Sequence, residues 1–280
     1  MLDKTTFFKA LRPFSLIVAI ATCGLGVSLA LIKNPENAFL AYLVMMAGLM
    51  LQISVNLIND HRDIDSNEFS TQQRNSIKRN ANIGWMVMLL AIVLGLYIVS
   101  IRGWPLLILG LVGVFGAWGY TGGSINYKSR GLGVLLVFLL MGVLLVGGSY
   151  YVVSGVYSFD VFLLSLPFSL LSSLLLLSNE LRDYEQDLAQ GIKTMSVRLG
   201  FKFGVRAYYA ISALIYLVSV LLYSTDQLNS IVLILISGVA LYQPFKLLNM
   251  PEKQRINLTT LTGRLYFYYS AAFLSVIWMN

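Results

Sequence analysis

The sequence predicts an all-α membrane protein, with residues 1–280 forming one domain built as a single bundle of nine transmembrane helices. Three observations predict it. The 280 residues are 57% apolar and only 12% charged, with a mean hydropathy of +0.74, whereas soluble globular domains carry about 25% charged residues. The apolar residues gather into runs of bilayer-spanning length. The basic residues between those runs fall almost entirely on one side. Runs of this length cannot be barrel strands, which alternate and are about half as long.

In chain order the runs cover about 14–32, 38–58, 83–101, 104–121, 132–153, 160–178, 204–223, 228–246 and 264–279. Lys4, Lys9 and Arg12 precede the first, as in a signal peptide. That run continues through Ile32 without an early small-x-small cleavage site, so it reads as a retained span. Low-complexity tracts and linkers are absent. Cys23, the single cysteine, rules out an internal disulfide and supplies no metal cluster; it reads as a packing residue.

The N-terminus and the loops after the second, fourth, sixth and eighth runs hold eighteen of the 20 Lys and Arg residues; Lys33 and Arg102 alone lie opposite. The positive-inside rule then puts the N-terminus in the cytoplasm and the C-terminus outside. The net charge of +7 therefore reports orientation in a plasma (inner) membrane rather than a nucleic-acid partner.

Two acidic clusters follow the second and sixth runs, on the same predicted cytoplasmic face. The first is Asn56-Leu-Ile-Asn59-Asp60-His-Arg62-Asp63-Ile-Asp65; the second is Asn179-Glu-Leu-Arg182-Asp183-Tyr-Glu185-Gln-Asp187. Each has Asn and Asp four apart and a further Asp about one turn on, so a continuing helix would set them on one face. Ionisable groups at the edge of a span are costly and read by default as functional. Four aspartates together require a cation, and carboxylate oxygens without His or Cys partners favour Mg²⁺. The basic residues Arg62, Lys128, Arg182, Lys193 and Arg198 fit a phosphate bound through that ion. At the rim of an apolar bundle the matching ligand is a diphosphate head on a hydrocarbon tail. Mg²⁺ would favour departure of the diphosphate, and aromatic faces would stabilise an allylic cation. Asp65, Glu68, Glu180 and Glu185 read as supporting or solvent-facing, and His61 as structural. Tyr150, Tyr151, Tyr157 and the run Tyr266-Phe-Tyr-Tyr269 read as interfacial anchors. The segment from Tyr120 to Gly133 has glycines at 122, 123, 131 and 133 beside Lys128 and Arg130, and reads as a lid.

These residues resemble the UbiA-type intramembrane prenyltransferases, in the motifs Asn56-x-x-Asn59-Asp60-x-x-Asp63 and Asn179-x-x-Arg182-Asp183-x-x-x-Asp187. The likeness runs over most of the chain and is strongest to the menaquinone-pathway branch, in Leu11-Arg-Pro-Phe-Ser-Leu16, Tyr120-Thr-Gly-Gly123, Gly131-Leu-Gly133, Gly147-Gly148, Gly191 to Gly200 and Thr259 to Arg264. The resemblance implies nine helices and Mg²⁺-dependent transfer of a polyprenyl group from its diphosphate to an aromatic acceptor, 1,4-dihydroxy-2-naphthoate. It implies metal ligation by Asp60 and Asp63 at one ion and Asp183 and Asp187 at the other, with Asn56 assisting. It implies substrate contacts from Asn56, Asn59, Arg62, Tyr120, Lys128, Asn179, Arg182, Lys193 and Arg198. The chain departs from the branch at Val134, where an acidic residue is usual, and after Asp63. A terpene cyclase of the same superfamily, a transferase to another aromatic acceptor and a lipid-diphosphate carrier are the alternatives. A lipid alcohol phosphotransferase lacks its expected Asp-Gly-x-x-Ala-Arg motif here.

Overall fold

The computed structural model describes residues 6–59, 61, 70–121 and 126–279, and for residues 117, 118, 120 and 121 the backbone alone. Among these residues the secondary structure is helical, with no strand. The long segments are α1 (Pro13–Leu31), α2 (Ala38–Asn59), α3 (Thr71–Arg102), α4 (Trp104–Thr121), α5 (Gly133–Ser154), α6 (Phe159–Arg182), α7 (Phe201–Ser224), α8 (Val232–Leu248) and α9 (Leu258–Trp278). Each predicted apolar run falls on one of them. Six (α1, α2 extended back to Pro35, α3, α5, α6 and α7) are long and apolar enough to cross a membrane, and α4 and α8 contain shorter apolar helices.

The third helix differs from its predicted bounds. It begins at Thr71, well before the apolar run, because a reciprocal cap starts it there. The Ser70 hydroxyl accepts from the Gln73 amide at 3.3 Å and the Gln73 side chain accepts from the Ser70 amide at 2.9 Å. Its 32 residues span about 48 Å against a hydrocarbon core of about 30 Å, so its polar first turns extend past the apolar zone. Gly103, at φ +84°, ends it in a conformation that a side chain would strain.

The bundle packs around α6, whose most apolar stretch is 78% buried, against 17% for α3. Gly142 lies in a π-helical turn of α5 (Phe138–Leu144). A Cβ there would sit 2.0 Å from Ser169 Oγ and 2.4 Å from Ser169 Cα, so α5 and α6 meet almost backbone to backbone. Buried hydroxyl pairs bind the remaining core helices: Tyr208 with Thr262 at 2.7 Å, Ser172 with Tyr266 at 3.1 Å and Ser219 with Tyr269 at 2.6 Å. Phe168 lies edge-on to Tyr266, Tyr269 and Phe273. Tyr208, Tyr266 and Tyr269 are tolerated in the core because each hydroxyl finds a partner. Four of the expected anchors, Tyr150, Tyr151, Tyr266 and Tyr269, are therefore core residues; Tyr157 and Tyr268 are exposed. The outward faces of α3 and α4 present Trp85, Leu89, Val93, Ile108, Leu111 and Phe115, a surface suited to lipid rather than water.

Candidate functional site

The second cluster forms where α6 stops. The Asp183 amide donates to the Asn179 carbonyl at 2.9 Å, and the backbone turns at Asp183 (φ −97°, ψ 13°) before a short helix, Tyr184–Ala189. One continuous helix face therefore does not carry Asn179, Asp183 and Asp187. The restart after Asp183 leaves the Asp183 carboxylate partly exposed and carries Asp187 inward, to 7% exposure.

Around that break every expected side chain has a defined setting. Arg182 grips Asp183 through two parallel bonds, Nε to Oδ1 at 2.7 Å and Nη2 to Oδ2 at 2.6 Å, a fork geometry matched to a carboxylate. Its Nη1 donates to Thr259 Oγ1 at 3.0 Å, and that hydroxyl donates to Asn179 Oδ1 at 2.8 Å. Burial pushes the Asp187 carboxyl above its ordinary value. The Lys128 ammonium draws it partly back, Asp183 raises it and Arg182 lowers it.

Lys128 reaches this point because its loop is latched to the segment after the short helix. Arg198 donates from Nε to the carbonyls of Lys193 at 3.1 Å and Ser129 at 3.3 Å, and from Nη2 to Ser129 at 2.9 Å. Arg198, expected as an anion ligand, bonds two loops together, and the neighbouring Lys193 is exposed. The latch demands a glycine: Gly131 has φ +76°, and a Cβ would lie 2.9 Å from Arg198 Cδ. Glu180, expected to be supporting or solvent-facing, is not solvent-facing. It is 5% exposed and accepts from the Ser196 amide at 3.0 Å and hydroxyl at 3.2 Å, capping the Met195–Leu199 helix from a different helix.

In the first cluster, Asn56 and Asn59 end α2, and His61 is exposed. Asp60, Arg62 and Asp63 lie outside the described residues, as do Asp65 and Glu68. Tyr120 stands in the last turn of α4, described by backbone alone. Asn56 is buried, and its Nδ2 donates to the Leu11 carbonyl and to Ser15 Oγ, both at 2.7 Å. Its Oδ1 accepts from Gln52 Nε2 at 3.0 Å. Asn56 thus ties α2 to the start of α1.

A continuous set of contacts carries this tether to the second cluster. Between Leu11 and Ser15, Phe14 packs on α9: a Cβ at Gly263 would lie 2.5 Å from Phe14 Cδ1. One helical turn before Gly263 is Thr259, bonded to Asn179. Asn56 and Asn179 therefore stand at the same end of the bundle. The opposite end is closed by Arg102, which donates to the carbonyls of Val152 at 2.6 Å and Val153 at 2.8 Å.

No group of three or more Asp, Glu, His or Cys side chains converges among the described residues. The donor chemistry of the second cluster nevertheless fits a hard cation. Asp183 presents both oxygens to a guanidinium, and Asp187 is a buried carboxyl whose neighbours include a like charge; a divalent ion would relieve both. Thr259 was marked only as the start of a stretch that carries the family likeness, and Arg255 was not singled out. Arg255 appeared only as one more positive-side charge, although a lone arginine a few residues before a span is a position from which it can reach a helix end.

Residues 17–271 match the model of the UbiA prenyltransferase family. The 1,4-dihydroxy-2-naphthoate octaprenyltransferase of Bacillus subtilis (strain 168) is 29% identical over 74% of this chain and 70% of that relative. The enzyme of the same name from Haemophilus influenzae is 30% identical over 73% of this chain and 72% of its own length. The fold is shared with a UbiA homolog from Archaeoglobus fulgidus bound to GPP and Mg²⁺. The TM-score is 0.64 at 14% identity, over 96% of this chain and 99% of that one.

Proposed function

The chain belongs to the UbiA prenyltransferase family, and we propose that it moves a polyprenyl group from a polyprenyl diphosphate onto 1,4-dihydroxy-2-naphthoate, a step of menaquinone biosynthesis. The observation that supports this reading is the path of contacts from Asn56 through Leu11, Phe14 and Gly263 to Thr259 and Asn179, which sets the asparagines that open the two motifs at one end of an apolar bundle. The names of the Bacillus and Haemophilus relatives support the acceptor. The Archaeoglobus homolog, with GPP and Mg²⁺, supports the donor class and the ion.

In this reading Asp60 and Asp63 hold one Mg²⁺, and Asp183 and Asp187 the other. The ions supply charge neutralisation of the departing diphosphate. The protein's own residues do the rest. Arg182, bonded to Asp183, turns its fork to phosphate oxygens when substrate arrives. Lys128 lies within electrostatic reach of Asp187 and binds the diphosphate, with Lys193 at the entrance. Arg198 keeps the Lys128 loop closed over the site and excludes water. Asn59, Arg62 and Tyr120 contact substrate from the first-cluster side. Val134, 7% exposed with its carbonyl accepting from Ser173 at 2.9 Å, packs in the core, so acceptor recognition falls to other residues. The chain forms one domain in the inner membrane, α1 to α9 all span, and the active site and N-terminus face the cytoplasm.

The test uses purified protein, Mg²⁺ and a polyprenyl diphosphate, followed by diphosphate release and mass spectrometry of the lipid. Product only with dihydroxynaphthoate is expected. Release without any acceptor, giving a cyclised hydrocarbon, would replace this reading with the terpene cyclase.

A further inference from the structure

Arg255 is a charged side chain only 2% exposed, in the 3₁₀ segment Glu252–Asn257 that leads into α9. Taking a guanidinium out of water is costly unless its surroundings compensate. Three groups do so here. Its Nη1 donates to the Leu181 carbonyl at 2.7 Å, in the last turn of α6, where the helix dipole favours a cation. Its Nη2 pairs with Glu185 in the Tyr184–Ala189 helix. Its guanidinium carbon lies 4.3 Å from the centre of the Phe201 ring, at the start of α7. The first two partners lie on opposite sides of the break at Asp183. One side chain thus spans that break from behind, and Thr259, four residues on, holds Asn179 and Arg182.

We propose that Arg255 is a positioning residue for the second aspartate cluster. By tying the Leu181 carbonyl to Glu185 it holds the turn that separates Asp183 from Asp187, and so fixes the spacing at which the two carboxylates meet a Mg²⁺–diphosphate. The inference rests on the prenyltransferase reading above. Lysine keeps the charge but not the fork, so it cannot hold both sides of the break while covering the Phe201 face. Arg102 makes a closely similar cap on the carbonyls of Val152 and Val153 at the far end of the bundle, and provides the control.

The experiment compares full-length wild type, R255K, R255Q, E185Q and R102Q in detergent. Each is titrated with Mg²⁺ in the presence of geranyl S-thiodiphosphate, a non-reacting probe, and binding is read by calorimetry. Turnover and thermal unfolding are measured in parallel. Arg255→Lys is expected to raise the Mg²⁺ midpoint for probe binding about tenfold and to lower kcat with little change in acceptor KM. Glu185→Gln shifts the midpoint less, in the same direction. Arg102→Gln lowers the unfolding temperature and leaves the midpoint alone. If R255Q does not fold, R255K and E185Q decide the question. A wild-type midpoint in both, or an equal shift in R102Q, would overturn the role. Absence of Mg²⁺-dependent probe binding in the wild type would instead sink the functional reading, and this inference with it.

Discussion

Asn56 and Asn179 each stand four residues before an aspartate, at the same end of the bundle, yet their carboxamides work in opposite senses. Asn56 acts chiefly as a donor, to the Leu11 carbonyl and Ser15, with its oxygen taken by Gln52. Asn179 acts as an acceptor, taking the Thr259 hydroxyl into a network that ends on Asp183. Equal spacing sets equal positions on a helix; it does not set what those positions touch. The first asparagine joins α2 to α1, and the second joins α6 to α9.

The comparison breaks most sharply at the aspartates. Asp183→Asn and Asp187→Asn each remove one carboxylate charge from the second cluster and are expected to cut diphosphate release on the order of a hundredfold to a thousandfold, several kcal/mol of barrier. The protein should remain monodisperse by size exclusion. Asp60→Asn tests whether the first cluster carries equal weight. Near-normal turnover in any of these variants would remove that motif from the mechanism.

Next come the asparagines, where one substitution reports the sense of each bond. Asn56→Asp deletes a donor to two acceptors and is expected to destabilise the fold by about 1–3 kcal/mol, seen as a lower unfolding temperature. Asn179→Asp preserves the acceptor for Thr259 and should unfold near the wild-type temperature. Equal losses would mean that the two carboxamides are used alike.

A smaller effect is expected at Gly131. Gly131→Ala forces a side chain into φ +76° and against Arg198, at about 1 kcal/mol or somewhat more. The lost latch should appear as faster proteolysis of the 126–131 loop, with α1 and α2 unaffected.

The smallest effect is a titration. Burial raises the Asp187 carboxyl above its ordinary 3.8, opposed by Lys128. In the metal-free protein this group should take up its proton at higher pH than a free aspartate, and Lys128→Gln should move it higher still, by carbon NMR of labelled aspartate. The folded state favours the protonated form, so this group's contribution is greatest below 3.8 and is lost as pH rises through its raised folded value.

The helical class, the positions of the apolar runs and the two Asn-x-x-x-Asp motifs were all legible in the sequence, because hydropathy over a span and the 3.6-residue period are local properties. The start of α3 was missed because its first turns are polar and only the Ser70–Gln73 cap announces them. Tyr266 and Tyr269 were misread because tyrosine suits both a membrane interface and a core that offers hydroxyl partners, and Ser172 and Ser219 are remote in sequence. For Glu180 the sequence could not choose between a supporting and a solvent-facing setting, since its partner Ser196 lies beyond the break.

By itself, then, the sequence determined the composition of the bundle, its span-length segments and the acidic groups at their ends, each set by neighbours within a few turns. Tertiary structure alone decided that α6 breaks at Asp183, that Arg198 latches loops and that Asn56 faces α1. It decided too that Arg255 is buried behind the second cluster. Those outcomes depend on which helix end meets which, through bonds between residues such as Arg255 and Leu181 or Asn56 and Leu11. A buried polar group takes whatever partner the packing brings to it, and no local pattern encodes that partner.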